Sequence, residues 1–322
     1  MLARIGVVGT GMMGAAHMRI LSEVVRDATV VAVSDSDIAR ARSAAAAAGD
    51  GIRVVADPHD LIVDPEVDAV VIASSDETHE DFVLACLAAG KPVLCEKPLA
   101  TTAAASLRIM AVETAMGRRL VQVGFMRRYD PAYAHVKQEL EDGTVGRLIF
   151  MHCAHRNASV PSNFTSEMLI TSSVTHEIDA ARWITGQEVV VATVYTPRST
   201  SEAPAGLKDP QFVVLETQDG VLIDIEIFVN ARYGYEICCE LVGERGTAAI
   251  PPTVSADFRG RFAQAYEHEL EAWVAGILNG GAAGAGAWDG YAASAVADAC
   301  LESLASGLPA AVGLQARPDL YG

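Results

Sequence analysis

Arg4-Ile5-Gly6-Val7-Val8-Gly9-Thr10-Gly11-Met12-Met13-Gly14 is an apolar run that breaks into three glycines with the spacing GxGxxG. Directly after a strand and at the opening of a helix, that spacing assigns each glycine a task. Gly9 makes the tight turn, Gly11 lets the backbone approach a pyrophosphate, and Gly14 lets helix and strand pack closely. The helix N-terminus that follows faces the phosphate charge. Asp35 lies 21 residues past Gly14, at the end of the next apolar run, where a carboxylate holds ribose hydroxyls. The stretch therefore reads as a dinucleotide cradle. An acid at this position disfavours the extra phosphate of NADP, so NAD is the expected cofactor, while Ser36 beside it leaves NADP open as a second one. The plainer, lesser reading of Asp35 is a helix N-cap, a role that Ser34, Ser36 and Asp37 also fit.

Outward from this loop, apolar runs at 4–8, 29–34, 53–56, 68–73, 92–95 and 120–124 alternate with helical patterns near 12–25, 36–48, 77–89 and 102–116. Such alternation predicts a doubly wound parallel sheet, an α/β Rossmann domain over residues 1–124. Ala69-Val70-Val71-Ile72-Ala73 is apolar throughout, as a strand covered on both faces must be. After Gly124 the rhythm changes. A helix near 131–142, a strand near 147–155 and a helix over 172–185 lead into strands at 188–196, 211–217, 221–229 and 235–242. Strands that follow one another without helices imply a large open, mostly antiparallel sheet, hence an α+β domain over 125–322. In 221–229 the odd positions, Val221 to Val229, share one face, while Leu222, Asp224, Glu226 and Phe228 make a mixed opposite face. Helices near 262–279 and 289–305 follow, joined by a Gly/Ala stretch at 280–287 that reads as a loop.

Composition narrows the partners. The chain has 322 residues, 51% of them hydrophobic and 20% charged, which suits two folded domains and excludes a disordered chain. A net charge of −17 repels nucleic acid and anionic membrane surfaces and suits a neutral polyol better than an anionic substrate. The first strand begins at once, leaving no signal peptide, and no run reaches the ~20 apolar residues of a membrane span. Six cysteines without a CxxC pair read as reduced buried thiols, with no metal site, and place the protein in the cytoplasm.

Two short motifs carry the chemistry. Glu96-Lys97-Pro98 ends the fifth strand, at the carboxyl edge where doubly wound folds bind ligands. A lysine there donates to a reacting oxygen and offsets developing charge; the plainer reading is a surface lysine. His176-Glu177-Ile178-Asp179, in a helix, places His176 and Asp179 one turn apart. Oxidation of an alcohol needs a base, and histidine has the pKa range for it; the plainer reading is a packed histidine.

With these motifs the sequence resembles the Gfo/Idh/MocA oxidoreductase superfamily, and within it the inositol 2-dehydrogenases, over essentially the full chain. The carriers are GTGMMG at 9–14, HEDFVLACLAAGKPVLCEKPLA at 79–100, GFMRRYDPAY at 124–133, HCAHRN at 152–157, HEIDAARW at 176–183 and WDGY at 288–291. The resemblance implies hydride transfer between NAD and a ring alcohol of an inositol or modified cyclitol, without a metal. A sugar (aldose) dehydrogenase or a non-catalytic NAD-binding regulator are the alternatives. It also implies a homotetramer built through the second domain's sheet. Lys97 matches the lysine that contacts the reacting hydroxyl, and His176 the histidine that moves its proton. Arg127, His155, Asn157 and Tyr235 lie in segments resembling those that contact polyol, with Ser172 and Ser173 in the same neighbourhood. Ser74, Ser75 and His79 resemble positions along the nicotinamide and pyrophosphate path, as do Met12 and Met13. Gly9, Gly11, Gly14, Asp35, Ser36, Glu96 and Lys97 complete the expected cofactor site. One position departs from the pattern. The inositol enzymes carry an aspartate four residues before the histidine, and this chain has Ser172, either a hydrogen-bonding group at the site or a cap for the following helix.

Overall fold

In the computed structural model, residues 2–282 and 284–322 are described; Met1 and Ala283, the latter inside the Gly/Ala stretch, lie outside the described residues. The strands β1 (Ala3–Val8), β2 (Ala28–Ser34), β3 (Arg53–Val54), β4 (Ala69–Ile72), β5 (Val93–Glu96) and β6 (Val121–Gly124) form one sheet in the order β3-β2-β1-β4-β5-β6. Every neighbouring pair is parallel, which is the doubly wound Rossmann order. Ile5, Val7 and the whole of β4 are inaccessible to solvent, because helices cover both faces of a parallel sheet.

Several of the helices start where the sequence supplies a capping side chain, though the first does not. α1 (Met12–Glu23) opens at Gly11, and α2 (Ile38–Ala48) opens at Asp37, whose carboxylate accepts the Ala39 and Arg40 amides. Asp37 thus takes the capping role and Asp35 does not. α3 (Pro58–Val63) falls where the sequence reading has only a connection. Its start is nonetheless written there: Asp57 accepts the His59 amide and Pro58 occupies the first turn. α4 (His79–Ala88) and α5 (Ala103–Met116, capped by Thr102) complete the alternation.

The β1–α1 turn depends on two absent side chains. Gly9 has φ +87°, and a Cβ on Gly14 would stand 1.9 Å from the Gly9 carbonyl oxygen. No side-chain rotation relieves a clash with backbone.

The second unit contains α6 (Pro131–Glu141), β7 (Leu148–Arg156), the short α7 (Ser166–Met168), α8 (Thr175–Thr185), and the strands β8 (Val189–Tyr195), β9 (Gln211–Thr217), β10 (Leu222–Phe228), β11 (Tyr235–Gly243) and β12 (Thr247–Ser255). α9 (Phe258–Arg261), α10 (Ala263–Leu278), α11 (Ala287–Ser306) and β13 (Ala310–Ala311) follow. Seven strands order as β12-β11-β7-β10-β9-β8-β13, antiparallel except for the parallel β7–β10 pair. β12 is a strand that the sequence reading omits. Pro251 and Pro252 obscure it, and prolines are tolerated there because β12 is an edge. On β10 the alternation is as the pattern requires: Ile223, Ile225 and Ile227 are fully buried, while Leu222 on the other face keeps 40% of its surface exposed.

The chain divides into compact units of Met1–Met126 with Tyr266–Ser294 and Ala316–Gly322, and of Arg127–Ala265 with Ala295–Gln315. A boundary at residue 124 leaves the two late segments with the second domain, whereas by contact they belong to the first unit. Glu113 shows why. Its buried carboxylate accepts the Leu120 and Val121 amides and the Tyr321 hydroxyl (2.5 Å).

Gly14→Ala should therefore destabilise the protein by about 3 kcal/mol or more. Gly11→Ala, whose Cβ meets no atom within 4 Å, should stay within about 1 kcal/mol of wild type. Urea melts of the two variants check this, and equal midpoints would refute it.

Candidate active site

The loop after β1 borders a cavity of about 450 Å³ whose lining includes Gly9, Gly11, Asp35, Ser36, Arg40 and Ser74. No side chain caps α1 at Gly11, and the space where a Gly11 Cβ would stand is open. An uncapped helix N-terminus beside an open backbone fits a pyrophosphate. Ser75 also lines the cavity, Met12 is exposed at the head of α1, and Met13 behind it is half-buried.

Asp35 closes one wall. One carboxylate oxygen accepts the Thr10 amide (2.7 Å), the Thr10 hydroxyl (2.8 Å) and Arg40 Nε (3.0 Å). The other accepts the Asp37 amide (2.8 Å) and Arg40 Nη2 (2.5 Å). Burial alone would raise this carboxyl, but the hydrogen bonds from Arg40, Asp37 and Thr10 hold it well below the usual aspartate range. The acid is thus ionised and pinned, and it is shared with an arginine that the sequence reading does not single out. The missed signal is a basic residue in the first turn of α2, five positions after the acid.

At the end of β5, Glu96 is buried against His17 of α1, with Nε2 to Oε1 at 2.7 Å. Its other oxygen accepts the Lys97 amide at 3.3 Å. Burial works against the charge of Glu96, and the His17 contact outweighs it, leaving the carboxyl below its ordinary value. His79 is fully buried, with Nδ1 2.7 Å from the Pro98 carbonyl across the cis Lys97–Pro98 bond and Nε2 3.3 Å from the Ser74 carbonyl. Glu96 and His79 therefore face inward and hold the backbone around Lys97, which itself is half-buried.

In the second unit, α8 is preceded by a π-helical turn over Leu169–Val174 that contains Ser172 and Ser173. Such turns are rare and concentrate at functional sites. The cap position of α8 is Val174 and that of the π-helical turn is Met168, neither of which offers a capping side-chain bond, while Thr165 caps α7 by accepting the Met168 amide. Ser172 itself lies inside the π-helical turn, not at the N-cap position of either helix. His176, in the first turn of α8, is half-buried, and the residues around it are not. Glu177 and Arg127 are both fully buried and form an ion pair. His155 Nδ1 lies 3.1 Å from Glu177 and 3.4 Å from Arg127 Nη2. Burial opposes both charges, and mutual attraction overcomes it: Glu177 is lowered and Arg127 raised. One residue on, Arg128 grips Asp179 through two bonds of 2.9 and 2.6 Å. The Tyr235 ring stands edge-on to His155, 5.6 Å between centroids, and burial raises its hydroxyl to about 12. Asn157 is held through its backbone, its amide donating to the Phe228 carbonyl and its own carbonyl accepting from Ala231. Arg127 and His155, which the resemblance places against substrate, are thus turned toward Glu177, and the segments GFMRRYD and HEID meet as two adjacent ion pairs.

A family model described as "Oxidoreductase family, NAD-binding Rossmann fold" matches residues 3–125, and one described as "GFO/IDH/MocA C-terminal domain" matches residues 133–249. The chain belongs to the Gfo/Idh/MocA oxidoreductase family. Among Gfo/Idh/MocA relatives, inositol 2-dehydrogenase 1 of Saccharopolyspora erythraea is 54% identical over the whole of both chains. The inositol 2-dehydrogenase of Ralstonia nicotianae is 46% identical, covering 100% of this chain and 99% of its own. Among solved structures, myo-inositol dehydrogenase from Lactobacillus casei in complex with NAD(H) and myo-inositol superposes with a TM-score of 0.97 at 34% identity, covering all of both chains.

Glu177→Gln should leave the Arg127 charge buried without its partner and cost about 3–5 kcal/mol. Since the Glu177 carboxyl titrates below its ordinary value of 4.5, its contribution is present above that pH and lost as pH falls through the lowered value. Urea melts from about pH 6 to pH 3 should show a shallower acid-side fall in Glu177→Gln than in wild type. An equal fall in both proteins would show that another group carries it.

Proposed function

We infer that this Gfo/Idh/MocA protein is an NAD-dependent dehydrogenase acting on a ring secondary alcohol of an inositol or modified cyclitol. The observation that carries the reading is the full-length superposition, at a TM-score of 0.97, on a dehydrogenase holding NAD(H) and myo-inositol. NAD, when bound along Gly9, Gly11, Gly14, Asp35, Ser36, Ser74 and Ser75, supplies the hydride acceptor. The rest is the work of side chains. His176 takes the alcohol proton, and Lys97 donates to the same oxygen as its charge grows. Glu96 and His17 keep the Lys97 backbone in place, and the Arg127–Glu177–His155 cluster holds the first turn of α8 beneath His176. Asn157, Ser172, Ser173 and Tyr235 complete the polyol side. Residues 1–124 carry the nucleotide and 125–322 the substrate and the assembly surface.

Ser172 favours a modified cyclitol over myo-inositol itself, because a serine offers hydrogen bonds but no negative charge to the imidazolium or to a substrate hydroxyl. NADH absorbance across a panel of inositol stereoisomers, inosamines and aldoses tests the reading; no signal with any member would leave the non-catalytic regulator. His176→Ala should lower turnover by roughly 10²- to 10⁴-fold with little change in NAD affinity. Ser172→Asp should move the acidic limb of the oxidation profile upward in pH, because a carboxylate raises a neighbouring histidine, and should raise activity on myo-inositol. A well-folded variant with an unshifted profile would refute the second claim.

The working form we assign is a cytoplasmic homotetramer. Each of the six cysteines is free, in keeping with a reducing compartment. No helix among the described residues is long and apolar enough to cross a membrane. The face of the seven-stranded sheet that carries Leu222 sets Phe150 beside it and Phe212 beside Glu226, with the ion pairs of Arg156 to Glu226 (2.7 Å) and Glu236 (3.1 Å) toward one end. Exposed apolar side chains interspersed with paired charges suit a subunit contact. Light scattering at micromolar concentration should give a mass four times that of the chain, and Leu222→Lys should lower it; a monomeric wild type would refute the assembly.

A further inference from the structure

We propose that Arg40 makes the ribose end of the nucleotide site accept the 2′-phosphate of NADP(H) as well as the diol of NAD(H), by moving between Asp35 and that phosphate. This rests on the reading that the adenosine ribose lies at Asp35. Alone, a carboxylate at that place repels a phosphate. Here it does not stand alone. Asp35 and Arg40 line the same cavity, and the guanidinium grips both carboxylate oxygens.

Donor counting shows that the grip must break. An ionised carboxylate has about four acceptor sites. Thr10 fills two of those of Asp35, the Asp37 amide a third and the Ser36 hydroxyl, at 3.4 Å, a fourth, before Arg40 adds two more donors. A ribose hydroxyl donating to Asp35 therefore displaces Arg40. The displaced partners differ in what they keep. Asp35, with a side chain 3% exposed, retains the Thr10 and Asp37 donors, so the departure of Arg40 leaves no bare buried charge. The Arg40 side chain is 48% exposed and swings on its own stem. With NAD(H) it goes to water. With NADP(H) it meets a phosphate, whose oxygens match the guanidinium fork in two parallel bonds. The hydroxyl of Ser36, an exposed residue whose long 3.4 Å bond to Asp35 is easily given up, adds a neutral donor at the same spot. Arg40 thus acts against one cofactor and for the other. It competes with the NAD(H) diol for Asp35, and it neutralises the extra charge of NADP(H).

The test is direct titration of NADH and NADPH into the full-length protein by calorimetry, comparing wild type, Arg40→Ala and Asp35→Ala. Wild type should bind both, NADPH within about tenfold of NADH. Arg40→Ala should weaken NADPH by about tenfold or more, while NADH binds as tightly or more tightly. Raising salt should weaken wild-type NADPH binding more than NADH binding. Undetectable NADPH binding to wild type, or an Arg40→Ala variant in which both affinities move together, overturns the proposal. Asp35→Ala separates the two ways of failing. If it weakens NADH while Arg40→Ala moves both cofactors alike, the ribose site stands and the role of Arg40 falls. If Asp35→Ala, still folded by thermal melt, leaves NADH unchanged, the ribose lies elsewhere and both fall.

Discussion

A charge removed from water must be given a partner, and that constraint organises both units of this molecule. In the first unit, Glu96 is buried at the end of β5 and is answered by His17 from α1, so the helix that begins at the glycine loop is tied to the strand that leads into Lys97. In the second, Arg127 and Glu177 are buried together with His155 between them. Each pair is costly to desolvate, and mutation to an apolar set is often neutral for stability elsewhere. What such pairs supply here is registry. A helix that must present a buried carboxylate to one particular arginine cannot slip by a residue, and His176, one position before Glu177, is held to its place by the same restriction.

The layout of the first unit was legible because its signals are local. GxGxxG, an acid at the end of the next apolar run and the strand–helix rhythm each fit within a short window, and the parallel order follows from them. α3 was legible in principle, since Asp57 and Pro58 write its start, but its six residues are too few to show a period. β12 was hidden because its prolines argue against a strand unless it is known to be an edge, and edges are a property of the finished sheet. The same limit applies to the site. Lys97 and His176 stand out as residue types with chemistry. The inward turn of Arg127 and His155 toward Glu177, and of His79 toward Pro98, is decided by packing among segments far apart in the chain, which no window contains. Arg40 lay in plain view next to a recognised motif, yet its weight comes only from a pairing distance.

Ser172 raises a different question, because in the proposed function it changes the site without disturbing the frame. The π-helical turn that carries it, the caps around it and the paired charges beneath α8 are all in place. On the proposed reading, a scaffold that keeps its supports while carrying a hydroxyl in place of a carboxylate alters the electrostatics facing the substrate and little else. That is the economical way for one framework to serve ring alcohols that differ in a single substituent.

The Tyr321 hydroxyl on Glu113 has a consequence for how the protein is made. Glu113 also holds the start of β6 through the Leu120 and Val121 amides, and most of α10 and the first two turns of α11 belong to the same unit. A ribosome emits the six strands of the nucleotide-binding sheet early, but the residues that finish covering it come only after the whole antiparallel sheet has been synthesised. The nascent sheet therefore waits, partly uncovered, for some two hundred residues of later chain. Its quality control is of a corresponding kind: a chain interrupted anywhere before Tyr321 leaves the Glu113 carboxylate short of a donor and the nucleotide-binding unit incomplete, however intact its own glycine loop.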